Sequence, residues 1–317
     1  MAKVKELTQR EAFGIYLRDL GEKNPDIFVF DADLACCTYG NLLGESCPRQ
    51  YYNVGIAEAN MICMAAGVAT TGKIAFACSF AMFTAGRGYD QIRNSLAYPS
   101  LNVKVIGTYA GITVGEDGAT HQCIEDMAIM RAIPGMVVLN PTDINETIKA
   151  TDAMIAYDGP CYMRLPRVVV KEITADVPGY CFELGKGAQM LEGKDVTVIA
   201  TGLMVQEALI AAEIVKKDGI SIRVIDMHTI KPIDKEIIIK AAKETGAIVT
   251  AEEHNILGGL GGSVAEVVVE NCPVPMLRVG VEDKFGKSGD AGLLMKEYGL
   301  TAQNIADKVK QVIKKKL

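Results

Sequence analysis

Apolar and polar positions along the chain switch repeatedly between two periods. Thr8 and Glu11 have capping-box spacing, and Ala12, Ile15, Tyr16 and Leu20 follow at helical intervals. This predicts a first helix that Gly21 ends. Ile27–Asp31 is an unbroken apolar run closing on an acid, as expected for a strand buried on both faces. The alternation continues with a helix from Gly55 to about Thr71, a strand at Lys73–Cys78 and a helix from Ala81 to Leu96. A strand at Val103–Ile106 and a Gly-rich loop from Gly111 to His121 follow, then a short helix at Ile124–Arg131 and a strand at Met136–Leu139. A helix capped by Thr142 runs to about Tyr157, and Tyr162–Leu165 closes the series as a strand. From 166 to about 190 the rhythm fails among Pro166, Pro178, Gly179, Gly185 and Gly187, which predicts a crossing between domains. It restarts with strands at Val196–Ala200, Ser221–Asp226, Ala247–Ala251 and Met276–Val279. The helices between and after them are expected at Met204–Lys217, Asp234–Glu244, Gly261–Val269 and Ala302–Lys315.

Strand and helix alternate in both halves, so the expected class is α/β: two domains, 1–185 and 186–317, each a mainly parallel sheet flanked by helices. A length of 317 residues agrees with two domains. The net charge of -6 argues against nucleic acid as partner, because that footprint needs a basic face. The basic end Lys314–Lys316 reads as the solvated last turn of a helix. No apolar run approaches the roughly 20 residues of a membrane span, and the first residues form no apolar signal segment, so a cytoplasmic location is expected. Nine cysteines are scattered with no C-x-x-C spacing, which speaks against zinc, and the pair Cys36-Cys37 reads as small buried or loop residues.

Ligands of open α/β sheets bind outside the carboxyl ends of strands. Five places qualify: Asp31-Ala-Asp33, Ser79-Phe80, the loop from Tyr109 to His121, Arg164 to Arg167, and Glu252-Glu253-His254. Four lie in the first half, where the site is expected. No phosphate-binding P-loop, dinucleotide fingerprint or nucleophile elbow is present, and three histidines leave almost no room for a multi-histidine metal site. Gly258-Gly259-Leu260-Gly261-Gly262 has the wrong spacing for a nucleotide loop and reads as a turn with close helix packing.

Glu58 opens a helix of small and apolar residues; it is either a carboxylate set against the helix dipole or a proton-relay acid. Phe80 and Phe83 share one helix face, as core or as a wall for a flat ring. Gly115-Glu-Asp117-Gly-Ala-Thr-His121-Gln122 is a dense polar cluster whose Asp117 and His121 could meet a substrate hydroxyl. Arg10, Arg164 and Arg167 are candidates for an anion site, each against the alternative of a salt bridge.

At these residues, Asp31-Ala-Asp33-Leu34, Gly55-Ile-Ala-Glu58, Ser79-Phe80-Ala-Met-Phe83, Tyr89-Asp90-Gln91 and Gly115–Gln122 in this order, the chain resembles the C-terminal half of transketolase as found in enzymes split into two chains. The resemblance spans essentially the whole chain. It implies that residues 1 to about 185 hold the aminopyrimidine ring of thiamine diphosphate, with Asp33, Glu58, Phe80 and Phe83 at the cofactor. Glu58 would share a proton with the ring nitrogen and favour the imino tautomer that activates the thiazolium carbon. Glu58 and His121 would be catalytic, and Arg10, Asp117, His121 and Arg167 would bind a sugar or sugar phosphate. Three positions depart from the family pattern: Gly86 stands for a third aromatic, Tyr109 for a phosphate-side histidine and Cys37 for a serine.

The Gly-Asp-Gly…Asn signature that holds Mg2+ and the diphosphate in this family is missing, so the chain is expected to contribute no metal ligand. A second, N-terminal subunit would supply that site, in an α2β2-type assembly, and the second domain would serve as scaffold and subunit contact. Two alternatives stay open: a beta-type subunit of another thiamine diphosphate enzyme (a 2-oxo acid dehydrogenase, or a synthase joining pyruvate to an aldehyde), and a non-catalytic α/β binding protein.

Overall fold

The computed structural model describes residues 7–316. Two sheets organise the chain. The first has seven strands: β1 (Ile27–Asp31), β2 (Tyr51–Asn53), β3 (Ile74–Phe80), β4 (Val103–Thr108), β5 (Val137–Leu139), β6 (Cys161–Leu165) and, from the second half, β10 (Thr229–Lys231). The second has five: β7 (Ala188–Leu191), β8 (Val196–Ala200), β9 (Ile222–Asp226), β11 (Ile248–Asn255) and β12 (Met276–Val281). Pairing is parallel except at two edges, where β10 runs against β5 and β7 against β9. The expected α/β class with two mainly parallel sheets is what the chain adopts.

In the first sheet the order is β10-β5-β6-β4-β3-β1-β2. The register pairs Asp31 with Cys78, Phe80 with Thr108, and Thr108 with Leu165. The carboxyl ends of four neighbouring strands therefore share one edge, and the residues just past them are brought together although they lie far apart in sequence.

Several local expectations need correction. Asp143, not Thr142, caps the helix Ile144–Ala156; its side chain accepts the Glu146 amide at 2.9 Å, while the Thr142 amide donates to Glu146 at 2.6 Å. Gly21 ends the helix Gln9–Gly21 without the left-handed turn of a glycine cap. Its lack of a side chain admits Leu43 instead, whose Cδ1 would lie 2.3 Å from a Cβ there. The uninterrupted helix expected over Ala81–Leu96 is two π-helical stretches, Met82–Arg87 and Ile92–Ala97, around the α-helical turn Tyr89–Gln91. The Thr84 hydroxyl competes for the Phe80 and Ala81 carbonyls at 3.2 and 3.3 Å, and the Gly88 amide bonds Phe83 O, five residues back, at 3.3 Å.

The glycine-rich turn before the helix Leu260–Asn271 does pack closely, and it is filled from within. Glu252 accepts the Leu260 and Gly261 amides at 2.7 and 2.8 Å, and a Cβ on Gly259 would meet its Oε2 at 2.1 Å. The positive end of that helix is thus already neutralised by a protein carboxylate.

The halves are also joined through buried acids. Asp226, at the end of β9, is wholly buried beside Glu146, whose carboxylate accepts the Tyr180 hydroxyl. Burial raises both carboxyls above their ordinary range, and the charge of Glu146 adds to the rise at Asp226. The folded chain therefore keeps protons that the unfolded chain releases, and stability falls as pH rises above the ordinary carboxylate range, by about 1.4 kcal/mol per pH unit for each retained proton. Asp226→Asn removes this penalty. Its melting temperature should exceed that of the parent by several degrees at pH 8 and by less at pH 5; equal gains at both values would contradict the shared-burial account.

Candidate active site

One strip of side chains runs along the shared carboxyl edge. It begins at Glu58, the first residue of the helix Glu58–Ala69, which has no side-chain cap. The Glu58 side chain is 5% exposed, and Arg87 Nη1 donates to its Oε1 at 3.0 Å. Among the described residues no hydrogen-bond donor to its Oε2 is seen. The Arg87 guanidinium in turn lies 4.4 Å from the centre of the Phe83 ring, with its side chain 55% exposed.

Phe83 stacks on Phe80 with ring centres 5.7 Å apart, and Phe80 stacks on Tyr109 at 4.0 Å. His121 meets Phe83 edge-on at 5.2 Å and Phe80 at 6.2 Å. Tyr109 carries two guanidinium groups, Arg10 at 4.4 Å and Arg167 at 5.5 Å from its centre. Arg167 pairs with Glu116 at 3.0 Å and approaches Asp117 at 4.0 Å. Seven of the residues singled out in the sequence (Arg10, Glu58, Phe80, Phe83, Asp117, His121 and Arg167) thus belong to one continuous set of contacts.

The π-helical turn explains the missing third aromatic. At α-helical spacing the position one turn beyond Phe83 is Gly86; the wider turn of a π-helix moves that place to Arg87. The wall is completed by a guanidinium face rather than a ring. Tyr109 sits just beyond β4 with φ 54, a left-handed conformation that few bulky residues adopt, and Asp33 beyond β1 has φ 64. Such strain clusters at functional sites.

Asp33 stands apart from the strip. It is exposed, and its hydrogen bonds go to Asn53, at 3.2 Å through its amide and 3.3 Å through its carboxylate. Its neighbour Asp31 is buried, accepts from the Leu34 amide at 2.7 Å and the Thr38 hydroxyl at 2.5 Å, and is pushed up to about 6 by that burial. Arg10 is buried beneath Tyr109, and its terminal nitrogens donate to Cys37 O at 2.5 Å and Arg167 O at 3.1 Å. Burial pushes the Cys37 thiol up, against the lowering effect of its contact with Tyr109.

Two candidates resolve to structural roles here, Arg164 as a salt bridge, in the interior rather than at the surface. Arg164 is not an anion site: its Nε lies 2.9 Å from Asp126, and Nη1 and Nη2 donate to Glu253 O and Cys123 O at 3.1 and 3.4 Å, all in the interior. His254 is not a separate site either; it is fully buried, with Nδ1 2.7 Å from Asn255 O and 3.7 Å from Glu252. Glu116, which neutralises Arg167, was missed by sequence reasoning. Its neighbour Asp117 drew attention through the hydroxyl-binding pattern, and nothing in the sequence told the two apart.

Among the described residues no group of three or more His, Cys, Asp or Glu side chains could hold a metal ion. No described helix is long and apolar enough to cross a membrane.

A buried acid, a stack of aromatic rings and basic side chains therefore lie together along the carboxyl edge of a mainly parallel sheet in an α/β protein. The chain belongs to the transketolase family: residues 5–171 match its pyrimidine binding domain and residues 185–305 its C-terminal domain. That family depends on thiamine diphosphate. A protein described as a transketolase C-terminal section from Methanocaldococcus jannaschii is 50% identical over 96% of each chain. The 6-deoxy-6-sulfo-D-fructose transketolase subunit SqwH of a Clostridium species is 43% identical over 99% of this chain and 97% of its own length. A solved structure titled "Split gene transketolase, inactive beta4 tetramer" superposes with a TM-score of 0.90 at 45% identity, over 98% of this chain and all of its own.

Proposed function

We propose that this chain is the pyrimidine-side subunit of a split transketolase. It would move a two-carbon ketol unit from a ketose to an aldose once joined to a second chain that supplies the Mg2+ and diphosphate site. The observation that carries this reading is Glu58: a buried carboxylate at a helix start, tied through Arg87 to an aromatic wall. Its second oxygen is left for a donor that the described residues do not provide. That arrangement suits an aminopyrimidine, which offers a flat face and a ring nitrogen able to carry a proton.

Bound thiamine diphosphate supplies the carbon nucleophile that accepts the two-carbon unit. Glu58 holds a proton against the ring nitrogen. Phe80 and Phe83 exclude water from one face of the ring, and Arg87 both orients Glu58 and covers Phe83. Thr120 Oγ1 lies 2.9 Å from His121 Nδ1, which leaves Nε2 to exchange a proton with a sugar hydroxyl. Asp117 binds a hydroxyl, and Arg167 meets the anionic end of the sugar. Arg10 supports Arg167 and Tyr109 from below, with each of its terminal nitrogens bonded to a backbone carbonyl. The relative named for a sulfonated ketose supports a phosphate or sulfonate at that end.

The inactivity stated for the solved relative's tetramer supports dependence on a second chain. The active form we propose is an α2β2-type assembly. Calorimetry with thiamine diphosphate and Mg2+ should show tight binding only when this chain is mixed with an N-terminal transketolase section. Tight binding by this chain alone would reveal a diphosphate site within it and end the half-enzyme reading.

A further inference from the structure

The loop from Gly111 to Gln122 carries Asp117 and His121, yet much of what holds it comes from the second half of the chain. Glu253, on β11, is buried and accepts the Thr113 amide on its Oε1 at 2.6 Å. It approaches this closely because residue 111 is glycine: a Cβ there would stand 2.3 Å from the Glu253 carboxyl carbon. At the other end of the loop Gln122 is 3% exposed. Its Nε2 reaches Ile112 O at 3.2 Å, Gly115 O at 3.3 Å and Lys287 O at 3.0 Å, so one amide ties both arms of the loop to segment 284–290. In that segment the Ser288 hydroxyl donates to Glu116 O at 2.5 Å. Of these five hydrogen bonds, three join the loop to the second half: Thr113 to Glu253, Gln122 to Lys287 and Glu116 to Ser288.

We propose that Glu253, Gln122 and segment 284–290 position Asp117 and His121, so that the C-terminal half sets the grip on the sugar and is more than a scaffold. The proposal rests on the reading of loop 111–122 as substrate-facing. Glu253 and Gln122 are positioning residues: neither belongs to the strip that would touch cofactor or sugar. A carboxylate accepting a backbone amide in the interior is among the stronger hydrogen bonds, and burial of Glu253 raises its carboxyl to about 7, within reach of its ionised form at neutral pH. A displacement of about 1 Å in such a loop is enough to cost up to roughly 100-fold in rate.

Gly286→Ala tests this directly, because its new Cβ would stand 1.8 Å from Gln122 Oε1 and must move that amide. In the full chain, amide hydrogen exchange of residues 111–122 should accelerate about 10-fold while the Glu58 helix exchanges as before. In the complex with an N-terminal section, the KM for fructose 6-phosphate should rise about 10-fold with thiamine diphosphate affinity unchanged. Glu253→Ala should act in the same direction, and Glu253→Gln, which keeps an acceptor for Thr113, should restore most of both effects. Should Glu253→Ala not fold, Ser288→Ala, on the surface, carries the same test with a smaller expected change. Unchanged exchange in Gly286→Ala overturns the proposal, and so does accelerated exchange with an unchanged sugar KM. A parent complex inactive on every sugar would count against the proposed function by itself, and the exchange measurement would still decide whether the second half positions the loop.

Discussion

Glu58→Gln should reduce ketol transfer by the reconstituted enzyme by about 10²–10⁴-fold, the range in which a positioned proton-transfer group contributes. The amide has nearly the size and shape of the acid, so the aromatic wall is left in place. What is lost is the ability to hold and return a proton at Oε2. Stability should change little, because Arg87 is more than half exposed and can turn to water once its partner is neutral. The comparison to make is single-turnover activity beside the melting temperature of the same sample. An active Glu58→Gln enzyme would remove the proton relay from the mechanism, and an inactive but unfolded one would leave Glu58 as a structural cap. Arg87→Ala should give a smaller loss of the same kind, since it orients the acid without carrying the proton.

Arg164→Met should destabilise the chain by about 3–5 kcal/mol, the cost of leaving a buried charge without its partner. Asp126 is wholly buried 2.9 Å from the Arg164 guanidinium and also accepts the Tyr162 hydroxyl at 2.8 Å. Removing the cation strands that carboxylate, and it removes the donor to Glu253 O that joins the two sheets and the donor to Cys123 O. Denaturant titration should show a lower midpoint. The double variant Arg164→Met/Asp126→Leu should recover much of the loss, because two apolar side chains leave no orphaned charge. A single variant within about 1 kcal/mol of the parent would mean that the Arg164–Asp126 pair contributes little to stability.

The positions of individual strands were legible because a strand buried on both faces must be apolar throughout. Ile27–Asp31, Val196–Ala200 and Cys161–Leu165 lie within a residue of where the pattern puts them. Three of the four edge strands were not legible. β2, β7 and β10 are three or four residues long and carry little apolar signal, and β10 joins a sheet whose other strands all lie before residue 166. The break between α- and π-helical turns was hidden for a different reason. It depends on which carbonyl the Thr84 hydroxyl and the Gly88 amide choose, and residue type alone does not reveal that choice.

Residue types and their local periods were enough to determine the α/β class, the strand ends that carry chemistry, and the identity of Glu58, Phe80, Phe83, Asp117 and His121 as candidates. Local chemistry acts over a few residues, and hydrophobic burial imposes its period wherever a strand or helix forms. Tertiary structure decided what each arginine pairs with. Arg10, Arg164 and Arg167 read alike in sequence, but one lies under Tyr109, one neutralises Asp126 in the interior, and one stands at the edge of the strip. It also decided that Glu252 fills the turn before the helix Leu260–Asn271 while the adjacent Glu253 reaches across to Thr113. In a strand, neighbouring side chains leave on opposite faces, so what each carboxylate meets depends on the layer packed there: a turn eight or nine residues on for Glu252, and a loop 140 positions away for Glu253.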